Sequence, residues 1–573
     1  MIEYLQKLHA PGYRSISTQN NVEADVAFYY FDKQRPNTVE SGAAFRTILT
    51  QLLHIFSGDK DSIDIASIIW NQQQGAQLHA SYREVLSTLL LLIQRKGRAI
   101  LIFDGVDECT DQDKFFQTMT EIQSISSSVS IVLFCRPTVK IPTDLARTSL
   151  SLDLEAKDNF RDICSYLYPK IANLVDEGGL PASSNVEEIV RKISSRSSGM
   201  FLWVVLFLKY LQLPFISIQQ RSEAIENLNR LKGLDSLYRT ILESLKDQPS
   251  NQAVSGITRA FEFVAYSCRP LKVEELMYAI VIPMDRSVQQ DDIIPNFAKT
   301  LSHMSGALME IASDNTVRFI HLSVLEYITD PEQDHIGPSG ADAGADAKGL
   351  AIHRSCACVC LSYLYYTVPA EPLGGSPQIT PDRNLQRERY PLLEYASQFW
   401  SHHLLVCIRL AIAAPAKFLD DSSVIMDLVS NFISSKRAVT VWIEASWMNN
   451  HAPQIGSGPN ENLLCKGFSL PVHSRNTKGG DLIAKALRHL QRLTLDLESL
   501  NSSWAVVLKD TPNEIWGPSI SAFTRSPFWM SVAGSTVSHF VSNERVDGTS
   551  ACLKSQVSLD GLRMGVVKLR LPR

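Results

Sequence analysis

The apolar positions along the chain change period several times, and the changes outline its organisation. Three near-continuous apolar runs stand in the first part: "ADVAFYYF" at 24–31, "AILIF" at 99–103 and "VSIVLFCRP" at 129–137. Between them lie stretches of helical spacing, "AAFRTILTQLLHIF", a segment around 80–96 and another at about 112–125. A short alternating run, "TSLSLDL" at 148–154, reads as a further strand. Apolar strands alternating with helices of ten or more residues predict a parallel sheet covered on both faces. From 158 to about 250 the strand pattern gives way to helices such as "NVEEIVRKISSRSSGMFLWVVLFLKYL" and "LDSLYRTILESL". Residues 256–330 read as mixed: a helix, Pro270, a helix, two short strands around 306–320 and a last helix. "GPSGADAGADAKG" at 337–349 reads as a linker of small residues. Helices resume at 350–366 and across roughly 386–446, and the stretch 515–570 alternates like strands. The expected divisions are 1–155, 156–250, 251–332, a linker 333–349, a helical region 350–510 and a β-rich segment 511–573.

Composition changes this picture little. A chain of 573 residues is too long for one core, and 45% apolar with 20% charged residues describes ordinary globular domains. A net charge of −5 leaves no electrostatic footprint for nucleic acid or anionic membrane. Ten cysteines form no disulfide framework, and the start "MIEYLQKLHAPGYR" lacks the basic, apolar and cleavage regions of a secretory signal. The most apolar window, 199–216, is interrupted by Lys209 and Pro214, so it reads as a buried helix and not a membrane span. The expectation is a soluble, reducing, cytoplasmic protein.

The chemistry concentrates in "RAILIFDGVDECTD", residues 98–111. Ligands of doubly wound sheets sit at the carboxyl ends of the strands, where the run "AILIF" delivers Asp104. One carboxylate there can hold Mg²⁺ against phosphate oxygens, with Gly105 leaving room for the ion and its waters. Asp107 or Glu108 would be near enough to orient or deprotonate an attacking water. The next strand ends in Arg136–Pro137, placing a guanidinium at the same edge, where it could sense a terminal phosphate. The bland alternative is that Asp104 caps the following turn while Arg136 pairs with it or with a helix end. "DEC" after a strand also suggests a DExx helicase, but that reading needs a phosphate loop, a basic chain and nucleic-acid motifs that this sequence lacks.

"ILIFDGVDECTD" resembles the Walker B segment of NACHT-domain signal-transduction NTPases of the STAND class, particularly the large fungal group related to NOD-like receptors. "FYYFDKQRPNTVESGAAFRTILTQLL" is similar to the strand–loop–helix preceding that segment, and "FCRP" to the sensor strand. "SSGMFLWVVLFLKYL" and "GLDSLYRTILESL" are similar to the family's helical domain, "FVAYSCRPLKVEELMYAI" and "VRFIHLSVLEYI" to its winged-helix domain. "HRSCACVCLSYL" and "YPLLEYASQFWSHHL" look like a helical region that often follows. The resemblance covers about residues 1–410. It implies a P-loop-type α/β sheet, then an all-α domain, a winged helix and a mainly helical remainder. It implies ATP or ADP with Mg²⁺ as cofactors, Asp104 as the metal carboxylate, Asp107 and Glu108 as the pair associated with hydrolysis, and Arg136 as the sensor arginine. His321 matches the winged-helix histidine that contacts the β-phosphate of ADP in related receptors, although a histidine satisfied at a helix start explains it equally well. The resemblance further implies protein partners, a homo-oligomer on activation, and a nucleotide-dependent switch in signalling or self/non-self recognition. A non-catalytic interaction scaffold is the alternative.

One element is missing. No G-x-x-x-x-G-K-[ST] loop occurs anywhere in the 573 residues, and "NTKGGD" at 476–481 has the wrong order and no strand before it. "MIEYLQKLH" looks like the end of the family's first helix, so the chain is expected to begin inside the nucleotide-binding fold, with a strand missing from the sheet. Charge-assisted hydrogen bonds contribute roughly 1.5–3 kcal/mol each. Losing two or three phosphate contacts therefore takes micromolar binding to millimolar or weaker, at roughly 1.4 kcal/mol per tenfold. ATPase activity is not expected of such a chain. Elsewhere, His353, Cys356 and Cys360 share a helix face, but packing of small cysteines explains "CACVC" better than a metal site. Trp203 reads as core, and the adjacent histidines of "FWSHHL" carry no assignable chemistry.

Overall fold

A computed structural model describes residues 25–72, 80–96, 99–125, 129–152, 155–214, 216–246, 251–330, 345–413, 423–455, 478–517, 552–557 and 564–569. The chain forms two compact units, Met1–Arg161 and Asp162–Arg573. In the first, β1 (Asp25–Tyr30) is followed by α1 (Ser41–Ile55), α2 (Lys60–Gln72) and α3 (Tyr82–Lys96). Then come β2 (Ala99–Asp104), α4 (Gln112–Ile125), β3 (Val129–Phe134) and the short α5 (Thr143–Thr148). The strands pair in the order β1-β2-β3, all parallel, with Tyr30, Asp104 and Phe134 in register. Three carboxyl ends therefore finish level. The helical connections are what parallel pairing requires. Leu101, Ile102 and Phe103 are fully buried, as expected of a central strand covered on both faces. Phe115 on α4 centres the core, its ring 5.1 Å from that of Phe103, 5.5 Å from Phe31 and 5.9 Å from Phe45.

The three strands pair without a break, and among the described residues β3 pairs only with β2. One expectation needs correction here. The predicted strand at 148–154 does not form among the residues described there. Thr148 ends α5, and Leu150 and Leu152 are 97% and 82% exposed, while 153–154 lie outside the described residues. Alternation alone does not make a strand; its N–H and C=O groups need a neighbouring ladder, and none is paired with them.

Helices dominate the second unit. α6 (Ala156–Asp176) leads into α7 (Val186–Arg196), α8 (Phe201–Leu211), α9 (Ile218–Glu226), α10 (Gly233–Lys246) and α11 (Asn251–Tyr266). The apolar window at 199–216 is a buried helix, with Trp203 fully enclosed and stacked on Phe207 at 5.1 Å. Next, β4 (Leu271–Lys272), α12 (Val273–Val281), α13 (Phe297–Met304), β5 (Met309–Ile311), β6 (Thr316–Phe319) and α14 (Leu322–Thr329) build a small antiparallel sheet of order β4-β6-β5 with helices against it. α13 was not legible in the sequence pattern. α15 (Ala345–Ser362) starts inside the stretch read as a linker, whose residues 333–344 lie outside the described residues. α16 (Arg383–Arg389), α17 (Leu393–Ala413), α18 (Ser423–Ser434), α19 (Lys436–Met448) and α20 (Lys478–Asp510) follow, and β7 (Cys552–Val557) and β8 (Met564–Leu569) pair antiparallel. One continuous set of buried residues runs from Ile163 to Ile515. Among the described residues, no helix is long and apolar enough to cross a membrane.

Candidate functional site: a carboxylate ridge at the strand ends

β2 ends in Asp104, whose backbone carbonyl accepts the N–H of Phe31 from the adjoining strand at 2.9 Å. Gly105 then turns the chain with φ +71°, and a Cβ there would meet the carbonyl oxygen of Phe31 at 2.9 Å. The glycine is required by backbone conformation and by this close approach, not by space for an ion. The turn enters a single 3₁₀ turn, Val106–Glu108, pinned by the fully buried Val106.

The two carboxylates of that turn tie the strand ends together. Asp107 Oδ1 accepts the backbone N–H of Arg136 at 3.2 Å, and Asp107 Oδ2 lies 3.2 Å from Arg136 Nε. Glu108 Oε2 accepts the backbone N–H of Lys33 at 2.8 Å. One acid thus fastens β2 to the segment after β3, the other to the segment after β1. A third, Asp111, accepts the N–H of Ser41 at 2.7 Å and its hydroxyl at 2.5 Å, fixing the start of α1.

Burial raises the pKa of Asp104 above the usual carboxylate value, and the charge of Asp107 adds to this against the N–H of Gly105. Glu108 is also raised, first by burial, then by Asp32 and Asp107, while the N–H and ammonium of Lys33 pull the other way. Burial alone would raise Asp111, but the two hydrogen bonds from Ser41 hold it below the ordinary value. Burial therefore disfavours the charged forms of Asp104 and Glu108. A half-buried carboxylate in this state gains from a cation, and Mg²⁺ typically uses one or two carboxylates together with waters and substrate phosphates. Asp104 is a carboxylate of the donor type that this ion takes.

Of the predicted site residues, the structure brings Asp104, Asp107, Glu108 and Arg136 together at one sheet edge. Arg136 pairs with Asp107 there, close to the bland reading that gave it a structural partner. His321 belongs to the second unit, where it caps α14: its Nδ1 accepts the N–H of Ser323 at 3.1 Å, and Ser323 Oγ lies 2.7 Å from the same nitrogen. The helix-start reading thus accounts for that nitrogen. Sequence reasoning missed Lys33 and the Ser41–Asp111 tie, though polar residues directly after a strand and at a helix start were a signal. It also missed a buried chain in the second unit, where His353 Nδ1 meets His403 Nδ1 at 2.9 Å and His403 Nε2 meets Tyr395 Oη at 2.8 Å. Cys356 and Cys360 are fully buried and act as small core residues. Among the described residues, no group of three or more His, Cys, Asp or Glu is arranged to hold a metal.

Residues 1–136 match the family model described as Nephrocystin 3, N-terminal, a domain associated with NACHT/STAND-family proteins. The match covers the sheet, the acidic turn and Arg136, its last residue. The association with that superfamily therefore rests on this domain. No curated protein matches the chain.

Proposed function

We propose that this chain is a NACHT-type STAND recognition protein whose first unit meets a magnesium nucleotide through the carboxylate ridge. The reading is carried by the level strand ends, which gather Asp104, Glu108 and the Asp107–Arg136 pair at one edge. Bound there, Mg²⁺ would supply charge neutralisation to phosphate oxygens. Asp104 would hold the cation; Glu108, whose Oε2 accepts the N–H of Lys33, would orient a water; Arg136 would meet a terminal phosphate. Oligomerisation is assigned to the open, triphosphate-bound state. These 573 residues carry one half of the grip, because the glycine-rich cradle is not among them. Affinity for nucleotide is accordingly millimolar or weaker by the lost-contact argument, about a thousandfold below micromolar for roughly 4 kcal/mol.

A second reading, a scaffold acting through contacts of its helical unit, is favoured by the ties themselves. Asp107 and Glu108 each bind a neighbouring backbone and would hold the strand ends together without any ligand. Magnesium-dependent nucleotide binding, compared between the unaltered chain and Asp104→Asn, separates the two. The switch requires a loss of binding in the variant, the scaffold none.

A further inference from the structure

We propose that Asp107 is a positioning residue: it aims Arg136 at a terminal phosphate and does not activate water. This inference rests on the function proposed above and divides the labour of the acidic pair. A general base needs an oxygen directed at the water it deprotonates. Asp107 spends both oxygens on one partner, Oδ1 on the N–H and Oδ2 on the Nε of Arg136, and its side chain is only 14% exposed. Glu108 commits a single oxygen, to the N–H of Lys33.

The hold on Arg136 is well suited to orientation. Pro137 restricts the backbone of the preceding residue to extended conformations. The carbonyl of Arg136 accepts the N–H of Val139 at 3.1 Å, closing a turn directly after β3. With its backbone N–H and its Nε both held by one carboxylate, the plane of the guanidinium is set by Asp107. Arginine's fixed fork makes such orientation matter for phosphate, because its donors work only in plane. The side chain of Arg136 remains 40% exposed, so an anion can reach it.

The experiment uses the full chain with Asp107→Ala, the near-isosteric Asp107→Asn and Glu108→Gln. Dialysis at millimolar concentration measures the dissociation constants of a non-hydrolysable magnesium triphosphate analogue and of magnesium ADP. Hydrogen exchange reads the Arg136 amide in the same proteins. Asp107→Ala is expected to lower the preference for triphosphate over diphosphate about tenfold, one charge-assisted contact, with diphosphate binding unchanged. Its Arg136 amide should exchange faster, Asp107→Asn should fall between, and Glu108→Gln should keep the preference. If Asp107→Ala and Asp107→Asn both bind nucleotide with the preference intact, the positioning role is overturned while the proposed function stands. If the unaltered chain binds neither nucleotide, both fall together.

Discussion

At the scale of single residues, the sharpest constraint is Gly105. Its φ of +71° lies where a side chain is strained, and a Cβ would press on the carbonyl oxygen of Phe31 at 2.9 Å. Gly105→Ala should cost about 1–2 kcal/mol from the dihedral alone, and more from the contact, as read by denaturant unfolding of the full chain. A second constraint concerns protons. Glu444 on α19 is fully buried, its Oε2 accepting from the N–H of Leu373 at 3.0 Å and from Trp516 Nε1 at 2.8 Å. Burial pushes its carboxyl up to about 7, against the hydrogen bonds from Leu373 and Trp516. A folded pKa above the unfolded one means the contribution is full below the ordinary glutamate value of 4.5 and fades as pH rises through about 7. Half-buried His353, lowered to about 4 by burial and by His402, works in the opposite sense, since stability it supplies is lost as pH falls from 6.5 through 4. The two slopes overlap, so the difference between variants isolates one of them. Glu444→Gln should lose ground to the native chain least at pH 7, and the gap in melting temperature should widen steadily toward pH 4.5. A gap independent of pH would mean that Glu444 is ionised in the fold throughout.

Among the elements, legibility followed the strength of the local pattern. β1, β2, α1, α3 and α4 were readable because long apolar periodicity and burial agree there. The start of the ridge was readable too, since a strand running into Asp104 announces itself. What the sequence could not show was who holds whom: the partners of Asp107, Glu108 and Asp111 lie 29, 75 and 70 residues away. His353 and His403, 50 residues apart, escaped for the same reason. α13 was missed because eight residues offer barely two turns of periodicity. The segment at 148–154 fails in the other direction, as period-2 leucines without a ladder to join. Nearly bare side chains contribute little, so Leu150→Ser with Leu152→Ser should shift unfolding free energy by no more than about 0.5 kcal/mol per substitution. A loss of about 2 kcal/mol or more in the same measurement would show that these leucines are covered.

On the scale of the whole molecule, a small parallel α/β unit is followed along the chain by a much longer helical one with a single continuous core. A parallel sheet with Asp104 and Arg136 at one edge was expected from the sequence; the level strand ends make it the only edge where several predicted site residues meet among those described. In the proposed function, a chain without a G-x-x-x-x-G-K-[ST] loop meets nucleotide weakly, and the ridge makes that binding depend on magnesium. Those two statements can be read in one experiment, equilibrium dialysis of ATP against the full chain and against Asp104→Asn, each with and without magnesium. The account predicts weak binding, with a dissociation constant in the millimolar range or above, that requires magnesium and disappears in Asp104→Asn. Binding that is indifferent to magnesium and to Asp104, or no binding at all, would contradict it.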